Sequence, residues 1–409
     1  MSQIPHTNIT RLVVKNYRSL ADIDIGLSPL TVFVGQNAVG KSNVIDVLRF
    51  VRDALVDGFE RAIAVRGGYR SLRCWYADET EQIRIEIYFE GPSSSGHYGL
   101  AFGGSKDDCS ITWEKLSLPH QADSGAGHAL TGLGQQQEML LEAFDGKLVH
   151  YPKQIGVMPM NHEHNPYHAS RRYQKNPFLP QLARFSLQIQ SVLLFLTSMN
   201  FYDISPYILR LPQAAKVAFP LLEDGSNLAS TLHALKQSQE GRIAEALRVV
   251  IEGFDDYSIN QVNGSLVTKL HYVTQNGQVR RRSSNLLSEA DGTIRMLAIL
   301  TALYQERYLS PLIIEEPEKA LYPDALAVCS DVLQEAAFSY QVLITTLSPD
   351  LITELPLDSL RVVEKENDLT KIGPISNHQY EAIEDQLFSA GALMRIEGLE
   401  TETGEGGMI

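Results

Sequence analysis

A chain of 409 residues has room for two to four domains, or for one large core carrying insertions. Hydrophobic residues make up 44% and charged residues 21%, ordinary for a globular protein, and Asp plus Glu exceed Lys plus Arg by 49 to 35 for a net charge of −14. That balance excludes attraction to nucleic acid over the whole surface, so any DNA contact must come from a local basic patch. Cys74, Cys109 and Cys329 are isolated, with no CxxC or Cys/His spacing, which points to reduced thiols in a cytoplasmic protein and away from structural zinc. The first residues lack the basic start and apolar stretch of a signal peptide. No uncharged apolar run approaches the ~18 residues of a membrane span, and residues 191–199 and 296–304 read as buried helix segments.

In chain order, residues 9–15 and 23–34 read as strands, the second ending in the apolar run Leu30 to Val34. A glycine loop follows at once. Residues 43–62 then show helical periodicity, with Val44, Val47, Leu48, Val51, Leu55 and Phe59 near one face. Residues 82–90 alternate strictly and predict a half-exposed antiparallel strand, with two more β segments near 97–103 and 109–116. The Gly-, His- and Gln-rich stretch 119–137 predicts a mobile loop. Residues 150–180 show no period. Helices are expected at 180–199, 226–237 and 240–253, and strands near 256–274. The last part alternates again: strand 311–315, helix 323–338, strand 340–346, helix 348–355. The segment 397–409, rich in Gly and Glu, is expected to be disordered.

Between the second strand and its helix, Gly35, Gln36, Asn37, Ala38, Val39, Gly40, Lys41 and Ser42 satisfy G-x-x-x-x-G-K-[ST]. The glycines let backbone N–H groups cradle phosphates, Lys41, read as an exposed loop lysine, reaches the β and γ oxygens, and the Ser42 hydroxyl ligates Mg2+. The implied cofactors are ATP and magnesium. A second element fits them: the apolar strand from Leu312 ends in Glu315 and Glu316. In a P-loop fold the first carboxylate at such a strand end holds a magnesium-bound water and the second orients the attacking water. Glu315 takes the first role and Glu316 the second.

With these motifs the sequence resembles the ABC-type ATPase heads of the SMC, RecF and OLD group, above all the stand-alone bacterial ATPases of the AAA_21 type. Residues 12–20 (LVVKNYRSL) are similar to that group's opening strand and its N-[FY]-R-S turn. Residues 40–46, including Asn43, are similar to its Walker A followed by N-x-[IL]-D. Residues 201–206 and 224–228 resemble its middle-region markers. Residues 288–295 (SEADGTIR) resemble its signature segment, 315–323 its Walker B and D-loop, and 342–349 its switch strand.

The resemblance implies a head that dimerises around two ATP molecules, each held between one subunit's Walker A and the other's signature, here carried by Ser288, Asp291 and Gly292. The signature admits two readings. Taken from Leu287 and Ser288 it has extra residues before Gly292; taken from Ala290 it lacks the serine. The switch position that commonly carries histidine is Leu347, which implies slow hydrolysis unless Thr345, Thr346 or Ser348 supplies a hydroxyl instead. Relatives of this kind act in phage defence or DNA maintenance beside a nuclease or other effector.

The basic runs Arg280 to Arg282 and Arg171 to Lys175, the latter with Tyr173, are read as solvated faces or partners of the excess carboxylates, with phosphate contact as the alternative. His162, His164 and His168, beside Glu163 alone, do not make a metal set. The expected fold is therefore an α/β P-loop NTPase: an ABC-type head with a RecA-like core, an antiparallel β lobe and a helical and β insertion. The expected blocks are 1–90, 91–180, 181–285 and 286–396, followed by the tail. The expected activity is conversion of ATP to ADP and phosphate, used as a homodimer switch with a partner effector and no membrane. The alternative is a RecF-like ATPase that grips duplex DNA ends itself.

Overall fold

The computed structural model describes residues 6–402 apart from 79, 92–94, 106–107, 120–138, 146, 151–175, 212, 215–219, 276–278 and 306–309. The loop expected from 119 to 137 therefore lies, beyond its first residue, outside the described residues. So do His162, Glu163, His164, His168 and the basic cluster 171–175. The described chain forms two compact units that interleave along the sequence. One comprises residues 1–28, 42–199 and 365–372, and the other 29–41, 200–364 and 373–409. These boundaries differ from the consecutive blocks expected from the sequence.

The first unit is built on a seven-stranded antiparallel sheet. Its order is Leu20–Gly26, Asn8–Tyr17, Ile83–Glu90, Gly96–Ser105, Asp108–Leu118, Met139–Phe144, Lys147–His150. Alternation decides which face is covered. Ile9, Leu12, Val14 and Tyr17 are buried on one strand, and Ile83, Ile85, Ile87 and Phe89 on its neighbour. Phe50, from the helix Lys41–Val56, stacks on Phe102 of the sheet with ring centroids 5.0 Å apart and meets Tyr17 edge-on at 6.0 Å. The helix expected over 43–62 breaks after Val56. Gly58 turns the chain at φ 94° and a second helix, Phe59–Ala64, begins. The helix expected over 180–199 also breaks, and Ser186 caps the longer piece, Leu187–Thr197, by accepting from the Ile189 amide.

The second unit holds a parallel sheet in the order Leu360–Glu366, Leu30–Val34, Val342–Thr346, Leu312–Glu315, Asn200–Tyr202. Leu30–Val34 and Val342–Thr346 are buried at every residue, as interior parallel strands must be, and this is why they read as continuous apolar runs. What reads in sequence as one strand over 23–34 is two strands in two units, separated at Leu27 to Pro29. Helices Asp291–Tyr304 and Pro323–Ala337 contribute to the core around this sheet. A smaller antiparallel sheet contains Gln213–Ala214, Ser265–Gln275, Phe254–Val262 and Val279–Asn285. Helices Asn377–Glu384 and Ala390–Ile396 were not foreseen. The tail expected to be disordered from 397 is fixed as far as 402. Thr401 pairs with Ile375 and donates to Glu364 from its amide (2.8 Å) and hydroxyl (2.6 Å), and Leu399 is buried. Residues 403–409 lie outside the described residues. Among the described residues no helix is long and apolar enough to cross a membrane.

Candidate nucleotide site

The glycine loop leaves the buried strand Leu30–Val34 and ends where the helix starts at Lys41. A side chain at Gly35 would collide with the Val363 carbonyl oxygen, so the close approach of two backbones dictates glycine here. Ala38 and Gly40 both turn through positive φ, 62° and 115°, which gives the loop the curl of a phosphate cradle. Lys41 is not the exposed lysine expected: it is only 6% exposed. Its ammonium donates to the carbonyls of Gly35 (2.7 Å) and Gln36 (2.6 Å). Burial lowers its pKa, while Glu316 and Glu318 pull it back up. Ser42 follows with an exposed side chain. A hydroxyl and a carboxylate are hard oxygen donors of the type Mg2+ takes, so the residues present fit Mg-ATP.

The acidic strand end belongs to the same unit. Glu315 closes Leu312–Glu315, and Glu316 turns through φ 47° in the left-handed region, a strain of about 1–3 kcal/mol for a non-glycine residue. Three contacts hold that turn. The Glu316 amide donates to the Thr345 carbonyl (3.0 Å) and hydroxyl (3.2 Å), and Arg295 Nη2 donates to the Glu316 carbonyl (2.7 Å). Arg295 is 1% exposed and also donates to the carbonyls of Glu315 (3.2 Å) and Ile204. Burial lowers its pKa, partly offset by Asp203, Glu318 and Glu316. Thus a residue of the helix Asp291–Tyr304 fixes the backbone of the acidic turn and of the segment 201–206. The segment 201–206 also meets the residue that precedes 224–228, since the Asp203 amide donates to the Glu223 carbonyl at 3.0 Å.

Two side chains missed by sequence reasoning complete this region. Glu318 accepts at Oε1 from the Thr346 hydroxyl and the Leu347 amide, both at 2.8 Å. Arg210 binds the signature turn: it donates to the carbonyls of Leu286 (2.9 Å), Leu287 (3.1 Å) and Glu289 (2.7 Å), and to Asp291 Oδ1 (2.5 Å). The quartet Glu-Glu-Pro-Glu is itself a sequence signal for Glu318, whereas nothing local marks Arg210. Within the signature, Ser288 is exposed at the end of a 3-10 turn, Ala290 is the N-cap and Asp291 is the first helical residue. Gly292 is buried where a Cβ would strike the Ala320 carbonyl, so the backbone at Ala320 packs directly on the helix Asp291–Tyr304.

In the first unit the opening turn and the residues after Ser42 form their own network. Asn16 and Arg18 take positive φ, 59° and 50°. Asp46 accepts from Tyr17 (2.7 Å) and from Arg66 (2.9 Å), and Arg18 pairs with it at 2.9 Å. Asn43 donates to Ser19 Oγ at 2.7 Å, which places it in this network. Elsewhere, Arg282 lies over the Tyr272 ring at 4.8 Å.

Two family profiles match the chain: "AAA ATPase domain" over residues 8–121, and "AAA domain, putative AbiEii toxin, Type IV TA system" over residues 153–353. A curated relative, the OLD nuclease of Thermus scotoductus (strain ATCC 700910 / SA-01), is 30% identical over 92 residues, which are 22% of this chain and 16% of that protein. The match therefore spans a minor part of that relative's length. Among solved structures, the SMC head bound to the C-winged helix domain of ScpA aligns with a TM-score of 0.52 at 13% identity, over 91% of this chain and 99% of that one. The SMC head domain from Thermotoga maritima aligns at 0.46 and 12% identity, over 90% and 99%. The first alignment shows the fold, a P-loop ATPase head with an antiparallel lobe. Residues 153–353 thus belong to the AAA_21 group of ATPases, in a chain with the fold of an SMC head.

Proposed function

We propose that the protein binds Mg-ATP on Gly35 to Ser42 and hydrolyses it slowly, using closure of a homodimer as a switch that holds or releases a partner effector. The observation that carries this reading is the burial of Lys41 at the loop carbonyls with Glu316 and Glu318 drawing on its charge. A buried ammonium on weak carbonyl acceptors exchanges them readily for phosphate oxygens, which are stronger, charged acceptors.

In this scheme Ser42 and Glu315 would hold the magnesium, directly or through water, and the ion would supply positive charge against the phosphates. Backbone N–H groups from Gln36 to Gly40 orient the phosphates, and Lys41 takes the β and γ oxygens. Glu316 accepts a hydrogen bond from the attacking water, its carboxylate held in place by the strained turn that Arg295 and Thr345 fix. Asn43 lies beside the nucleotide by its position after Ser42. Ser288, Asp291 and Gly292 meet the partner's nucleotide from across the interface, with Arg210 shaping their turn. A role in phage defence or DNA maintenance, with a nuclease-type effector, is supported by the likeness to part of the OLD nuclease. The alternative, direct binding of duplex ends, gains nothing from Arg282, whose guanidinium covers Tyr272.

Lys41→Ala tests the reading. It should remove most ATP affinity in equilibrium binding, and because Lys41 is buried it should also lower the thermal midpoint by a few degrees. Unchanged affinity would refute the site.

A further inference from the structure

The end of the switch strand is tied to a single carboxylate oxygen. Glu318 Oε1 accepts from Thr346 Oγ1 and Leu347 N, while Thr346 Oγ1 accepts in turn from the Ser348 amide at 3.0 Å. The other oxygen, Oε2, is buried and has no hydrogen-bond partner among the described residues. Native buried acceptors are nearly always satisfied, so this oxygen requires an explanation. Two cations lie within its field: Lys41, and Arg295, whose Nε is likewise buried and unpartnered among the described residues. Of the three hydroxyls that could replace a histidine at residue 347, Thr346 gives its donor to Glu318, while Ser348 accepts from the Leu351 amide at the start of the helix Pro349–Thr353 and Thr345 accepts from the Glu316 amide.

We propose that Glu318 is the positioning residue that carries the nucleotide state to the switch strand, reading it from the place of the Lys41 ammonium rather than from the γ-phosphate. This rests on the ATP reading above. Lys41 draws on Glu318 while it sits on the loop carbonyls. When it moves to phosphate oxygens the attraction at Oε2 changes, and the carboxylate shifts with its two switch-strand donors. A leucine at 347 is then no defect, because the strand is addressed through its backbone.

The test is hydrogen exchange over residues 340–350, with and without ATP, in wild type, Glu318→Ala, Glu318→Gln and Thr346→Val, together with nucleotide affinity and phosphate release. Without ATP, Glu318→Ala should exchange at least about tenfold faster over 346–348, as loss of charge-assisted bonds predicts, and Glu318→Gln, whose carbonyl still accepts, within about threefold of wild type. ATP should change exchange in wild type and leave Glu318→Gln unmoved, since an amide offers Lys41 no charge. Affinity should stay within about threefold in every variant while kcat falls about tenfold or more in both Glu318 variants, and Glu318→Ala with Thr346→Val should be non-additive. An ATP response preserved in Glu318→Gln, unchanged exchange in Glu318→Ala, or independent effects of the two sites would overturn the proposal. If Glu318→Ala does not fold, the ATP response of Glu318→Gln decides alone. Wild type that binds no ATP would overturn the site reading and this proposal together, whereas wild type that binds ATP without any exchange response would overturn this proposal alone.

Discussion

Replacing Glu114 by glutamine should make the protein more stable at alkaline pH. Glu114 is 3% exposed, and among the described residues no cation offsets its burial. It accepts from Tyr98 (3.0 Å) and from the backbone amides of Phe178 (2.5 Å) and Leu179 (3.1 Å). Burial outweighs these bonds and pushes the carboxyl from its ordinary 4.5 up to about 7. The folded form then binds more protons than the unfolded chain between those values, so stability falls as pH rises from 4.5 through 7. About 2.5 units at 1.36 kcal/mol each gives a loss on the order of 3 kcal/mol by pH 8. Glutamine matches the protonated acid in shape and does not titrate, but its NH2 cannot accept from the Phe178 amide as a carboxyl oxygen does, which costs about 1–2 kcal/mol at every pH. The variant should therefore be the less stable by about 1–2 kcal/mol at pH 5 and the more stable by about 1–2 kcal/mol at pH 8. Both tryptophans of the chain, Trp75 and Trp113, lie in the first unit with Glu114, so urea unfolding followed by tryptophan fluorescence reports that unit. Parallel pH profiles for the two proteins would refute the assignment of a neutral buried acid.

Glu316→Gln should keep ATP binding, slow turnover at least roughly tenfold and accumulate an ATP-bound dimer visible by light scattering, because the amide cannot activate water. A strictly monomeric variant would count against closure. Arg295→Met removes the donor from the Ile204, Glu315 and Glu316 carbonyls and should lower stability by about 1–3 kcal/mol for each carbonyl left buried and unsatisfied, and abolish turnover. A loss under about 1 kcal/mol in denaturant titration would show that the strained Glu316 turn needs no such support. Leu347→His should raise a wild-type rate that lies below the ~1–100 s⁻¹ of phosphoryl-transfer enzymes such as kinases. A fast wild type with no gain from histidine, in steady-state phosphate release, would mean that hydrolysis does not depend on this position.

Chemistry limits which residues can wrap a phosphate or hold magnesium, and this made the loop at Gly35 and the acidic strand at Glu315 legible as sequence. The parallel strands were legible too, because burial on both faces leaves a run of apolar residues. Other features are absent from local pattern. Arg295 and Arg210 act on backbone carbonyls up to 91 and 79 residues away, and a carbonyl has no residue type. Lys41 reads as a surface lysine because periodicity does not register its bonds back to Gly35 and Gln36. The buried Ile23, Ile25 and Leu27 run on into the wholly buried Leu30–Val34, and this apolar continuity hides the change of unit at Leu27 to Pro29.

The interleaving of the two units bears on how the chain leaves the ribosome. The first unit contains residue 19 and residue 370, joined by the hydroxyls of Ser19 and Thr370 at 2.6 Å across 351 positions of sequence, and by the Thr370 amide on the Ser19 carbonyl. At ~5–20 residues per second, the opening turn waits on the order of 20–70 s for the segment that closes its unit. Closing so long a loop is entropically slow but costs little more than closing one half its length. Until then the turn is held by Leu72, Asn43 and Asp46, and the Ser19 carbonyl waits for the Thr370 amide. Fragments ending at residue 199 would lack that closing contact permanently.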